Sequence, residues 1–288
     1  MERFGTVAIV GVGLIGGSIG LTLRKRALAD RVIGIGRSLE NLADAVRLGA
    51  IDLATTDLAE GVSLADVVVV CTPVTEIVAT VLAAANSSSR ALLITDAGST
   101  KRGIVEAVER DGRARGVFVG AHPIAGSERK GAVSASLGLF DERVCVVTPT
   151  ENTPASLLES AIAFWRGVGC RVVELDPASH DEFLAFTSHL PHAVAAALAA
   201  TIPPDALGLA AGAYRDGTRV ALSDAKLWSG IFRANRQPLL KAIDGFQQQI
   251  TTLRQLIEKN DDDLIVEWWN SARTRRIRFQ ELGEGIGG

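Results

Sequence analysis

Thr6-Val7-Ala8-Ile9-Val10 is an unbroken apolar and β-branched run, and Gly11-Val12-Gly13-Leu14-Ile15-Gly16 follows it directly. A run without polar alternation is what a strand buried on both faces requires. Glycines spaced G-x-G-x-x-G after such a strand, with a helical stretch over 16–25 behind them, constrain the fold more than any other feature. They permit a tight turn, close approach of backbone N–H groups to a phosphate, and tight packing of helix on strand. The unit predicts a Rossmann-type α/β sheet, mostly parallel, with helices on both faces. A pyrophosphate would sit at the positive helix end, on Gly11, Gly13, Leu14, Ile15 and Gly16.

The second strand, Arg31–Ile35, ends at Gly36-Arg37-Ser38. An acid at this point binds the ribose 2′-hydroxyl of NAD. Here no carboxylate repels a 2′-phosphate, and Arg37 with Ser38 suits one. The expected cofactor is therefore NADP, with NAD as the alternative. A helix is predicted over 39–48. A strand over 66–71 ends at Thr72-Pro73, beside the expected cofactor, and a helix over 75–85 follows. The strand over 91–95 leads into Asp96-Ala97-Gly98-Ser99-Thr100-Lys101, where Ser99 suits ligand contact or a helix cap. The run 117–121 places His122 just past a strand end, in His122-Pro123-Ile124-Ala125-Gly126-Ser127-Glu128. Ligands collect at that edge of an open α/β sheet. Strands over 143–148 and 170–175, with a helix over 153–167, complete a dinucleotide-binding domain of residues 1–175.

From Pro177 the apolar period becomes helical, which predicts an all-helical domain over 176–288. A helix over 179–200 contains Ser188-His189-Leu190-Pro191-His192, where the proline should introduce a kink. Leu239, Ile243, Phe246, Ile250, Leu253 and Ile257 recur at heptad spacing, which suits subunit pairing as well as an internal core. The formal net charge of −3 gives no electrostatic reason for nucleic-acid binding. Three widely spaced cysteines read as buried thiols in a reducing compartment, neither a disulfide frame nor a metal site. The longest apolar runs read as too short to span a bilayer, and no secretory leader is evident. A cytoplasmic location is expected.

The segments 11–18, 96–101, 122–128, 188–192 and 214–219 resemble, in order and spacing, the prephenate/arogenate dehydrogenase family. Asp224-Ala225-Lys226-Leu227-Trp228 and Ala234-Asn235-Arg236 look similar to it as well. The resemblance implies oxidation of a 4-hydroxycyclohexadiene with loss of its ring carboxylate, on the route to tyrosine. It implies that His122 is the base for the ring hydroxyl and that Ser99 orients it while touching the hydroxyl or the nicotinamide ribose. Arg219 then clamps the ring carboxylate, Ser188 and His192 line the pocket, and Ser127 sits at its lip. Glu128 and Asp216 resemble an ionic gate. His192 favours prephenate over arogenate, and a homodimer through the helical domain is implied. A different β-hydroxyacid dehydrogenase is the remaining enzymatic alternative, and a dinucleotide sensor without chemistry the non-enzymatic one.

Overall fold

The structure is a computed structural model that describes residues 3–87, 93–126, 129 and 131–284. The chain divides into two units, Met1–Asn235 and Arg236–Gly288.

The first unit begins as the glycine motif requires: β1 (Thr6–Val10), α1 (Leu14–Lys25), β2 (Arg31–Ile35) and α2 (Leu39–Arg47). A short strand and helix not apparent in the sequence follow, β3 (Leu53–Thr55) and α3 (Leu58–Ser63). Next come β4 (Val67–Val70), α4 (Val74–Ser87), β5 (Leu93–Asp96) and α5 (Arg102–Glu109). Then β6 (Phe118–Pro123), β7 (Val144–Thr148), α6 (Ala155–Val168) and β8 (Arg171–Glu174) complete an eight-stranded sheet. Its order is β3-β2-β1-β4-β5-β6-β7-β8. The described pairings are parallel except between β6 and β7. Successive strand residues alternate between the two faces. Val7, Ile9, Val67 and Val69 therefore join one buried cluster, and Ala8, Val10, Val68 and Val70 join the other. Each fully buried Val or Ile contributes about 1.5–3 kcal/mol.

β6 positions the chemistry. Its first half pairs with β5 (Ile94 with Phe118, Thr95 with Val119), and its second half with β7 (His122 with Val146, Pro123 with Cys145). His122 thus lies inside the strand rather than just past it, because the antiparallel partner prolongs β6 after the parallel one has ended.

The sheet is followed by α7 (Pro177–Leu184), one π-helical turn over Ala185–His189, α8 (Leu190–Thr201), α9 (Gly212–Thr218) and α10 (Ala225–Ala234). This wider turn sits just before Pro191, the residue that lacks an N–H donor. The run Pro177–Thr201 is long and apolar enough to cross a membrane by length and composition, which corrects the reading that no run is. It carries His180, Asp181 and His189 buried in the first unit, while 22% of its most apolar window is buried. The second unit is a helical hairpin, α11 (Arg236–Lys259) and α12 (Asp262–Glu284), in which Trp268 Nε1 donates to Gln249 Oε1 at 3.1 Å. Of the heptad seam, Ile250 and Ile257 are exposed.

Candidate active site

The glycine turn is shaped around open space. Gly11 has φ +92°, and a Cβ there would lie 2.8 Å from the Cys71 carbonyl oxygen. A Cβ at Gly16 would lie 2.3 Å from the Gly11 carbonyl oxygen. A Cβ at Gly13 would meet nothing within 4 Å among the described residues. Gly13 caps α1 without a side-chain hydrogen bond, so the first N–H groups of that helix have no side-chain acceptor at the cap. Fixed glycines on either side of an open, uncapped helix start fit a pyrophosphate.

At the same edge of the sheet lies a cleft of about 900 Å³, and Arg37, Pro73, Ser99, His122, Ser188, His192 and Arg219 all line it. His122 is buried in its wall, with Nδ1 2.9 Å from His180 Nε2. His180 Nδ1 lies 2.8 Å from Asp181 Oδ1. A carboxylate only accepts, so His180 Nδ1 donates to Asp181, and neutral His180 presents a lone pair at Nε2. His122 must then donate from Nδ1, which leaves its Nε2 as the basic nitrogen. Burial first, then His180 and Lys101, push the His122 pKa well below its usual value. The ring is therefore neutral near pH 7 and ready to accept a proton.

Asp181 serves a second element. Its Oδ1 accepts from Lys101 N–H at 2.7 Å and its Oδ2 from Arg102 N–H at 3.0 Å, so it caps α5 from a distant helix. Neither Ser99 nor Thr100 takes that role. Behind His122, fully buried Asp96 pairs with fully buried Lys101. Asp96 also accepts from Gly98 N–H at 2.9 Å and from Ala121 N–H at 3.0 Å. The carboxylate thus holds β6 where its ladder with β5 has stopped. A closed ring of contacts fixes the base: Asp96, the 121–122 backbone, His180, Asp181 and Lys101.

The opposite wall is built on α8 and α10. His192 Nδ1 lies 2.8 Å from the Ser188 carbonyl oxygen, and the ring stacks on Trp228 at 3.7 Å. Burial, and then Arg219, lower the His192 pKa. Beneath them Asn235 Nδ2 donates to the Asp181 carbonyl at 2.7 Å and lies 3.0 Å from His189 Nδ1. His189 Nε2 is buried with no hydrogen-bond partner among the described residues, and its ring meets Trp228 edge-on.

Several expected residues stand apart from the cleft. Ser38 caps α2, accepting from Asn41 N–H at 3.3 Å. The Thr72 hydroxyl is buried without a partner among the described residues. Asp216 is exposed and pairs with its neighbour Arg215 at 3.3 Å. Ser127 and Glu128 lie outside the described residues. His180 and Asp181 escaped the sequence reading altogether. The signal that could have found them was that the chain has four histidines, and that a His-Asp dipeptide opens the same helical run as two of the others.

A doubly wound sheet with a pyrophosphate turn, opening onto a cleft that holds a neutral histidine and an arginine, defines a dinucleotide-dependent dehydrogenase. Residues 19–174 match the nucleotide-binding domain of prephenate dehydrogenase, and residues 176–271 match its dimerization domain. The chain belongs to the prephenate dehydrogenase family. Prephenate dehydrogenase of Bacillus subtilis is 34% identical, over 94% of this chain and 75% of its own length. Cyclohexadienyl dehydrogenase of Zymomonas mobilis is 30% identical, over 97% and 98% respectively. Prephenate dehydrogenase from Aquifex aeolicus, solved with hydroxyphenyl propionate and NAD+, superposes with a TM-score of 0.89 at 32% identity, over 97% of this chain and 98% of that one.

Proposed function

We propose that this protein oxidises prephenate to 4-hydroxyphenylpyruvate with loss of carbon dioxide, with arogenate as the second substrate. The observation that carries the reading is the fixed tautomer of His122, whose Nε2 is basic in the cleft that Arg219 and His192 also line. The relatives named prephenate and cyclohexadienyl dehydrogenase support it.

His122 Nε2 takes the proton of the ring hydroxyl as hydride leaves the same carbon and the ring carboxylate departs. Such a base contributes roughly 10²–10⁴-fold. The resulting imidazolium keeps its Nδ1–H on His180, the Asp181 carboxylate stabilises its charge through that ring, and Nε2 returns the proton to the oxygen that aromatisation leaves as phenolate. Arg219 holds the ring carboxylate with its planar fork. Ser99 orients the hydroxyl, and Ser188 shapes the pocket.

The turn at Gly11, Gly13, Leu14, Ile15 and Gly16 would hold a nicotinamide dinucleotide, with Thr72 and Pro73 beside it. When bound, its nicotinamide ring accepts the hydride. Arg37 and Ser38, with no acid at Gly36, favour NADP over NAD. Residues 1–175 form the dinucleotide-binding part, and residues 176–288 the substrate-binding and dimerising part of a cytoplasmic homodimer. The exposed Ile250 and Ile257 of α11 and the match to a dimerization domain support the dimer.

Initial rates with prephenate and arogenate, each with NAD and NADP, test the reading. Turnover highest with prephenate and NADP is expected. Silence in all four assays overturns it.

A further inference from the structure

His192 faces the cleft with one nitrogen already committed. A backbone carbonyl only accepts, so the 2.8 Å contact with Ser188 O requires a proton on Nδ1. In the neutral ring the remaining nitrogen, Nε2, then carries a lone pair and no hydrogen. Stacking on Trp228 at 3.7 Å, with an interplanar angle of 23°, limits rotation of the ring to another arrangement.

The two candidate substrates differ in what their side chains offer that lone pair. An amino-acid side chain carries an ammonium group, which donates. A keto-acid side chain carries a carboxylate and a ketone, which only accept, and it has a net negative charge. Neutral His192 can bond the first and has nothing to offer the second. The protonated ring donates from Nε2 and pairs with either acceptor.

We propose that His192 reads the substrate side chain through its proton: it accepts an amino-acid side chain as it stands and takes up a proton to accept a keto-acid side chain. The inference rests on the substrate pair proposed above. In the free site burial outweighs the Ser188 hydrogen bond, which favours the imidazolium, and together with the positive charge of Arg219 it keeps the ring neutral. A bound anion cancels the Arg219 field and adds negative charge of its own, which favours the imidazolium. His122 across the cleft and His189 edge-on to Trp228 are held neutral by burial. The other charged groups lining the cleft are Arg37 after β2, Glu76 on α4, Arg129 after β6, and Asp224 and Lys226 at the start of α10. The donor or acceptor character of His192, by contrast, is set by a proton.

The two aromatised products keep the two side chains and undergo no reaction, so they serve as probes. Each is titrated calorimetrically into the full-length protein with oxidised cofactor, near pH 7.5, in buffers of different ionisation enthalpy. 4-Hydroxyphenylpyruvate should bind with uptake approaching about one proton per site, and tyrosine with none. His192→Gln, whose amide needs no proton to donate, should abolish the uptake. In steady state the KM for prephenate should rise by up to about tenfold per pH unit above neutrality, while that for arogenate stays level. Equal uptake by both products, or uptake that persists in His192→Gln, overturns the inference. Binding and turnover without uptake overturn it while leaving the substrate assignment intact. Failure of both products to bind overturns the two together.

Discussion

His122 Nδ1 and His180 Nε2 are 2.9 Å apart, with their rings at 63°. Asp181 fixes the direction of this bond, because it occupies the Nδ1–H of His180 and leaves Nε2 as the acceptor. Without His180, a buried N–H on His122 has no partner, and the ring is free to present its proton to the cleft instead of its lone pair. We expect His180→Ala to lower kcat by about 10- to 1,000-fold while cofactor affinity changes by less than about twofold, a smaller loss than the roughly 10²–10⁴ expected of His122→Asn. Stopped-flow turnover beside cofactor titration separates these effects. Wild-type turnover in His180→Ala removes the relay from the mechanism.

The pH dependence of kcat/KM follows from the same burial. Desolvation, then the neighbouring His180 and Lys101, hold His122 well below 6.5. The neutral ring is the active base, so activity is fully present above that lowered value and is lost as pH falls through it. With arogenate, which needs no proton on His192, kcat/KM should be level from about pH 8 down to about 6.5 and decline only in more acidic solution. An acid limb centred at or above 6.5 is incompatible with this environment for His122.

Stability should fall on acidification for a related reason. Burial lowers the pKa of His189 from 6.5 to about 4. The unfolded chain therefore binds a proton at this position that the folded one refuses. Stability from this group is complete above about pH 6.5 and is lost progressively between about 6.5 and 4, by about 3 kcal/mol in total. Urea denaturation at about pH 7 and about pH 4.5 measures it. His189→Leu should reduce the pH-dependent loss, and an unchanged loss would assign it to other groups.

Much of this arrangement is legible in the sequence because local rules fix it. The apolar run 6–10 and its glycines specify β1, the turn and α1, and Ser99, His122, Ser188, His192 and Arg219 do meet in one cleft. The His180–Asp181 relay is not legible, because its meaning arises only when α7 packs beside α5 and β6. A His-Asp pair at a helix start looks like an ordinary solvated pair until the fold buries it. β3 is hidden for a different reason: Leu53–Thr55 is a short edge strand, too brief for a period to emerge.

Two glycines in the motif should fail in different ways. Gly13→Ala adds a methyl that meets no described protein atom within 4 Å. It should leave Tm within about 2 °C of wild type and weaken cofactor binding by at least about tenfold, since the backbone approach to the phosphates is what it obstructs. Gly16→Ala places a methyl 2.3 Å from the Gly11 carbonyl oxygen and should lower Tm through packing. Differential scanning calorimetry with and without cofactor distinguishes them. A Gly13→Ala protein that binds cofactor normally would show that the open space is not the phosphate site.

The proposed preference for NADP is testable at Gly36, Arg37 and Leu42. A Cβ at position 36 would lie 3.1 Å from Leu42 Cγ and Cδ2, so an acid there requires the leucine to give way. Arg37 lines the cleft, and Ser38, although it accepts from Asn41 N–H, retains a hydroxyl hydrogen to donate. A guanidinium on a phosphate is a charge-assisted contact of about 1.5–3 kcal/mol. Arg37→Ala should therefore raise the KM for NADP by about tenfold or more and leave that for NAD unchanged. Gly36→Asp should weaken NADP further through repulsion, and Leu42→Ala in the same chain should allow the new carboxylate to improve NAD binding. Paired KM measurements across the three variants decide the matter. Equal losses for both cofactors in Arg37→Ala would place the arginine on the shared part of the dinucleotide.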